Sequence, residues 1–486
     1  MVSLLCAMAL LVVGYVFYGR LTARVFAPDG RETPATAIND GVDCVPMKPG
    51  KAFLVQLLNI AGTGPIFGAI MGAQFGPVVF LWIVFGSILG GAVHDYMVGM
   101  ISCRHEGRSI VALSGLYLGT AVKWVMRVFS IVLLVLVGTV FVTSPAALLA
   151  RLTPKAFNEI FWVFAIIAYY ILATLLPIDK LIGRLYPVFG AVLILMAAGI
   201  FGAILFSGEY TLPEVTLKNA HPDGLPVWPF MCVTVTCGAI SGFHATQSPM
   251  VAKCITSEKQ GRFVFYGAMI GEAVIALVWA AAGVAFYENA GALSEALAAG
   301  GQSGVVYDIS FGMLGTVGGI LAVVGVIACP ITSGDTAFRS ARLILAEWTG
   351  LSQKPFKNRL KITLPLLIAG LVLTQLDFNV LWRYFSWSNQ SLAMVALWVA
   401  TAYLAREHHP LSQLLLTAIP ATFMSGVSIT YILMAPEGLR LSASVAYPVG
   451  AAIALLCFAY FLAVLQRYKK AEGASSLGVK REDDKR

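Results

Sequence analysis

His94, Asp95 and Glu272 are residues whose types could move a proton, His244 is one that could touch a substrate, and all four fall in or beside long apolar runs. Asp95 follows His94 in the stretch Gly90-Gly91-Ala92-Val93-His94-Asp95. A charge at membrane depth costs roughly 2.5–3.5 kcal/mol on insertion scales, so it needs a partner or a protonation role. Imidazole titrates near neutrality, which suits a histidine beside a carboxylate to proton relay. A structural pair anchoring neighbouring helices explains the same two residues equally well. Glu272 is a lone acid in another apolar run and a second coupling candidate. Asp308 and Asp377 fall near helix ends, where a solvated role is expected.

Two apolar stretches are interrupted by glycine and small polar residues. One reads Asn59-Ile60-Ala61-Gly62-Thr63-Gly64-Pro65-Ile66-Phe67-Gly68. The other reads Cys237-Gly238-Ala239-Ile240-Ser241-Gly242-Phe243-His244-Ala245-Thr246-Gln247-Ser248-Pro249. Pro65 lacks an N–H and disfavours helical geometry at Gly64, while paired glycines make unwinding easy. Irregular backbone at membrane depth is tolerated only where it is buried in protein or lines a wet cavity. Close packing by small residues is the plainer explanation of either motif alone. N–H groups at a half-helix start suit a carboxylate, and freed carbonyls suit a cation.

The expected substrate-binding residues are therefore Gly62, Thr63, Gly64, Ser241, Gly242, His244, Gln247 and Asn389. Asn389 comes from a third irregular stretch, Trp387-Ser388-Asn389-Gln390. His94, Asp95 and Glu272 are the expected coupling residues. A ninth apolar run ends Cys329-Pro330-Ile331-Thr332-Ser333-Gly334-Asp335-Thr336. Thr332, Ser333 and Asp335 could join carbonyls near Gly62 in an oxygen-lined cation site. The same residues could instead cap an amphipathic helix over 336–348.

The elements that hold these residues follow from composition. Hydrophobic residues make up 58% of the 486, charged residues only 12%, and mean hydropathy is +0.81. A soluble domain carries about 25% charged residues, so lipid must solvate most of this chain. Long continuous runs exclude a transmembrane β-barrel, whose segments are short and alternating. Hydropathy predicts an all-α polytopic membrane protein with thirteen spans, near 2–18, 52–74, 76–102, 124–150, 157–176, 186–207, 226–254, 262–287, 306–331, 361–376, 378–404, 411–434 and 443–466. The first of these is read as a retained helix, since no basic segment precedes it. With that alternation, 28 of the 33 Lys and Arg residues fall on one side. Positive-inside bias makes that side cytoplasmic, with the N-terminus outside and the C-terminus inside. Topology and anionic lipid account for the net charge of +8 without a nucleic-acid partner.

Five spans separate the two interruptions, so the second span runs outward and the seventh inward. That predicts a five-plus-five inverted repeat with two discontinuous helices and a midplane substrate site. The expected organisation is a first helix and loop over 1–51, repeats over 52–207 and 208–405, two further helices over 406–466 and a basic tail over 467–486.

Enzyme motifs are weak. Gly62-Thr63-Gly64 lacks the third glycine of a dinucleotide fingerprint, and Ser241 sits one position late for a nucleophile elbow. Cys232, Cys237, Cys254 and His244 match no usual zinc spacing. No cofactor is expected beyond a coupling proton or sodium ion. The best function class is a secondary importer of a small carboxylate-bearing nutrient. A passive channel would need a continuous polar path rather than clustered polar residues, and a sensor would need an output domain.

At these residues the chain resembles the carbon starvation protein A family of membrane transporters. The matching stretches are Asn39-Asp40-Gly41-Val42-Asp43 with Val45-Pro46, Ile60-Ala61-Gly62-Thr63-Gly64-Pro65-Ile66, Gly91-Ala92-Val93-His94-Asp95, Ser241-Gly242-Phe243-His244-Ala245 and Thr332-Ser333-Gly334-Asp335-Thr336-Ala337-Phe338-Arg339-Ser340. The resemblance implies uptake of peptides or pyruvate during nutrient limitation, coupled to an ion gradient. It also implies membership of the amino acid–polyamine–cation superfamily. Val55 and Gln56 stand where many members carry a His-His pair.

Overall fold

The computed structural model describes the chain except Val42, Leu176, Pro177, Lys354 and residues 484–486. The side chains of 174–187 and 468–486 also lie outside the described set, so Lys180, Arg184 and the basic tail are not placed. Among the described residues the fold is helical, and the one extended contact is an isolated bridge between Met47 and Ile255.

Eight helices are long and apolar enough to cross a membrane, nine if one bent pair counts as a single span. That pair is Pro49–Ile60 and Gly64–Phe75, which meet at 58°. Helical segments cover the other expected spans too, in shorter, less apolar or broken form: Glu159–Leu175, Phe356–Leu373, Phe378–Arg406, and Cys232–Thr234 followed by Gly242–Ala252. Helix ends are fixed by side chains where the sequence provides a cap. Asp377 accepts from the N–H groups of Asn379 and Val380, and Asn289 from that of Ala292. Asp308 is exposed.

Two expectations are corrected here. The run expected to stop near Ile331 continues, because one long helical element covers Ala290–Thr349 and bends only at Gly301 and Gly315, where φ is +64° and +65°. Thr332 is therefore no N-cap. Its hydroxyl bonds back to the carbonyls of Ala328 and Cys329, at 3.2 and 2.8 Å, on its own helix. Tyr170 meanwhile donates to the carbonyl of Pro330 at 3.3 Å. The stretch around Trp387 is likewise not irregular, since Phe378–Arg406 is a continuous helix. Both corrections share a cause: neighbouring helices support backbone that local composition would loosen.

The core lies where Val79–Arg104, Glu258–Phe286, Thr120–Leu152 and Phe378–Arg406 surround the two interrupted helices. Val2–Phe26 and Ala443–Asp483 pack at the edge, with apolar side chains such as Phe17 and Tyr460 about 70% exposed, 68% and 72%. Lipid is the solvent such faces require.

Candidate functional site

The first break covers 61–63 and the second 235–241. At the first, Ala61 leaves helical geometry (φ −78°, ψ 62°), and Gly64–Gly68 re-enter as a π-helical turn. At the second, Val235 turns (φ −93°, ψ 69°) and Ser241 is extended before Gly242–Ala252 begins.

The two breaks touch. A methyl group on Gly64 would come within 2.2 Å of the Cys237 Cβ, and Gly238 lies close to the Pro65 Cα. Only residues without a Cβ let the strands of unwound backbone approach so closely. A methyl on Gly62 would strike the Phe141 ring at 2.2 Å. The glycines of both motifs thus serve close approach as well as unwinding.

Freed backbone groups find side-chain partners. Ser87 donates to the Gly238 carbonyl at 3.2 Å, Gln390 to that of Cys232 at 2.9 Å, and Ser333 to that of Leu58 at 2.8 Å. Asn389 holds the second break together. Its Oδ1 accepts from the Phe243 N–H at 2.5 Å and from Ser241, while its Nδ2 donates to Thr236 at 2.9 Å. The half-helix start that sequence reasoning offered to a carboxylate is thus occupied here by a carboxamide oxygen. Gly242 packs on the same helix, for its Cβ would meet the Asn389 carbonyl oxygen at 2.3 Å.

The ionisable residues converge beside this junction. Asp95 Oδ1 lies 2.8 Å from His94 Nδ1, and Asp95 Oδ2 lies 2.9 Å from His244 Nδ1. On its far side, His244 Nε2 stands 3.3 Å from Glu272 Oε2, close enough for ionic attraction but not aligned as a hydrogen bond. All four side chains are fully buried. An ionised carboxylate only accepts, so both Nδ1 atoms facing Asp95 carry the proton. His244 then lies between two carboxylates, the placement that a proton relay through an imidazole requires. The sequence separated these residues into coupling and substrate groups; the fold joins them into one chain across three elements.

Of the remaining expectations, Thr63 is fully buried with no partner for its hydroxyl within the protein. Gln247 donates to Thr246 and Ser340 at 2.8 and 3.3 Å, one turn beyond His244, and its Oε1 is unpaired. Ser333 does reach the first break, but Asp335 pairs with Arg339 at 3.4 Å. Sequence reasoning missed Ser87, Thr236 and Phe141 as parts of the site, and noted Gln56 only as standing where many family members carry histidine. Gln56 joins the two broken helices by donating to Ser248 at 3.0 Å. Their only signal was polarity or bulk inside an apolar span.

Two cavities border the helices that surround this centre. One of about 480 Å³ is lined by Thr143, Ser144, Arg151, Gln302, Ser303 and Leu381. Phe141 itself packs among aromatic rings, with the centroids of Phe243 and Phe385 at 5.7 and 6.4 Å. The other, about 300 Å³, is lined by Thr246, Pro249, Met250, Lys253 and Ser340.

A helical membrane bundle with two touching breaks and a buried histidine–carboxylate chain has the architecture of a membrane transporter. Two solved transporters share the fold. MhsT in complex with L-phenylalanine superposes with a TM-score of 0.54 at 15% identity, covering 88% of this chain and 99% of that one. The Eremococcus coleocola manganese transporter gives 0.51 at 12% identity, covering 88% and 97%. The chain belongs to the carbon starvation protein CstA family, which it matches over residues 1–161, 150–292 and 280–431. A Haemophilus influenzae membrane protein without assigned function is 44% identical over 342 residues, 60% of this chain and 92% of that one. The Escherichia coli peptide transporter CstA is 29% identical over 55% of this chain and 47% of its own length. The Escherichia coli pyruvate/proton symporter BtsT is 28% identical over 55% and 46%. The match therefore spans about half the length of these two relatives.

Proposed function

We propose that the chain is a secondary active transporter that imports peptides or a small monocarboxylate such as pyruvate across the bacterial inner membrane. A proton or cation gradient drives it, in the response to carbon starvation. The observation that carries this reading is the hydrogen-bonded trio His94–Asp95–His244, with Glu272 3.3 Å beyond it, beside the junction of the two breaks. Histidine and carboxylate exchange protons near neutral pH, so a proton is the preferred coupling ion. Thr332, Ser333 and Asp335 are the alternative, an oxygen-lined place for sodium beside the Leu58 carbonyl.

Alternating access would then run on thirteen spans, with the five-plus-five inverted repeat rocking about the fixed junction, N-terminus outside and C-terminus cytoplasmic. A substrate carboxylate would compete with Asn389 for the Phe243 N–H and the Ser241 hydroxyl, loosening Phe378–Arg406 from the second break. Proton movement from His244 would change the charge that Gly242–Ala252 carries at its start. The names of the Escherichia coli relatives support both substrate classes and, for pyruvate, the proton.

The test is uptake by the purified protein in liposomes, comparing labelled pyruvate, dipeptides and amino acids under imposed proton or sodium gradients. Accumulation of one class that needs a gradient supports the proposal. Equilibration indifferent to any gradient would mean a passive channel and end it.

A further inference from the structure

Arg339 and Arg342 are buried, 6% and 5% exposed, and Arg359 is half-buried. The Nε atom of each is enclosed with no hydrogen-bond partner within the protein. Their other contacts are sparse. Arg339 donates to the Ala173 carbonyl at 3.2 Å and to Asp335 at 3.4 Å, and Arg342 to Gln353 at 3.3 Å. Among the described residues, Arg339, Arg359, Asp43 and Asp335 lie within electrostatic reach of Arg342. Three guanidinium groups therefore share two carboxylates, and among the described residues Asp335 alone touches one of them. Like charges held together in a dry place are strongly unfavourable unless an anion completes the set.

The surroundings identify the anion. The cluster lies between the end of the long element Ala290–Thr349 and the start of Phe356–Leu373. Trp348 stacks edge-on to Trp124, and the Arg127 guanidinium lies 4.9 and 5.9 Å from the Trp124 and Trp348 rings. Tryptophan and arginine in that combination mark the headgroup level of a bilayer. From Arg359 onward the helix turns Leu364, Ile368 and Val372 outward, giving an apolar track for acyl chains. Basic pockets between membrane helices beside such a track bind phosphate headgroups, and guanidinium forks match phosphate oxygens.

We propose that Arg339, Arg342 and Arg359 form a binding site for the phosphate headgroup of an anionic phospholipid on the basic side of the molecule. The lipid neutralises the cluster and ties the long helix to Phe356–Leu373. The site does not depend on which substrate is carried, and Asp335 is its one contact with the alternative cation site.

The test uses full-length protein in neutral detergent, followed by thermal unfolding with phosphatidylglycerol, phosphatidylcholine or sodium phosphate. Phosphatidylglycerol should raise Tm by roughly 2–4 °C, as expected for a ligand well above its Kd. Phosphatidylcholine and sodium phosphate should not. Arg342→Gln and Arg359→Gln should lose the rise while Arg127→Gln keeps it. If Arg342→Gln fails to fold, the half-exposed Arg359→Gln decides alone. Equal effects of the two lipids, or a full rise in Arg359→Gln, overturn the site. A rise with sodium phosphate equal to that with phosphatidylglycerol would assign a soluble anion instead and overturn the lipid.

Discussion

Replacing Asp95 with asparagine separates the shape of the carboxylate from its charge. In the native chain its two oxygens accept from His94 at 2.8 Å and His244 at 2.9 Å. Asparagine keeps one acceptor and turns the other atom into a donor, so one imidazole must surrender its Nδ1 proton or face a repulsive contact. A hydrogen bond to a charged group contributes about 1.5–3 kcal/mol, and one such bond is lost. The variant should therefore unfold about 1.5–3 kcal/mol more easily yet still insert, because removing the charge also relieves its desolvation. Gradient-driven accumulation should fall to background, since His244 no longer has a second carboxylate with which to exchange. The assay is uptake into liposomes under an inward proton gradient, beside thermal unfolding of the same preparation. A double-mutant cycle with His244→Gln should give an interaction energy of about 0.5–3 kcal/mol. Accumulation at the wild-type rate in Asp95→Asn, or strict additivity in the cycle, would refute the linked chain.

Four other outcomes follow from the same geometry. Gly64→Ala should abolish uptake, because its methyl meets Cys237 at 2.2 Å, and Cys237→Gly in the same chain should restore part of it. Gly242→Ala places a methyl 2.3 Å from the backbone oxygen of Asn389, which cannot yield, so Tm should fall by the equivalent of about 1–3 kcal/mol. Asn389→Ala strips the cap from the second half-helix and should lower stability by about 0.5–2 kcal/mol in denaturation, more if Thr236 and Ser241 are left unpaired. Outside the membrane, hydrogen bonds from Arg31 hold the Asp29 carboxyl down at about 2, against an ordinary 3.8. A depressed carboxylate stabilises above its unfolded value and stops doing so as pH falls through its folded one. Between about pH 4 and pH 2 the wild type should lose a small stability increment that Asp29→Asn never had, measured by paired melts.

Much of this site was legible in the sequence because its rules are local. Glycine pairs before Pro65 and before His244 marked unwound backbone, and a charge in an apolar run marked Asp95 and Glu272 as needing partners. What could not be read was the pairing. Nothing in a one-dimensional pattern says that Gly64 lies on Cys237 or that His244 bridges Asp95 and Glu272, since these contacts join residues far apart in the chain. The end of the ninth run misled because hydropathy drops at Thr332-Ser333-Gly334-Asp335, whereas packing of Tyr170 and the neighbouring spans carries the helix through. Asn389 was expected to bind substrate from polarity alone, and its geometry is that of a cap which a substrate would have to displace.

The most direct measurement is the pH inside liposomes carrying the purified protein when pyruvate or a dipeptide is added outside without any imposed gradient. Acidification of the interior that depends on substrate and disappears in His244→Ala is the expected result. Substrate entry with no change in internal pH would contradict proton coupling through the buried histidine–carboxylate chain.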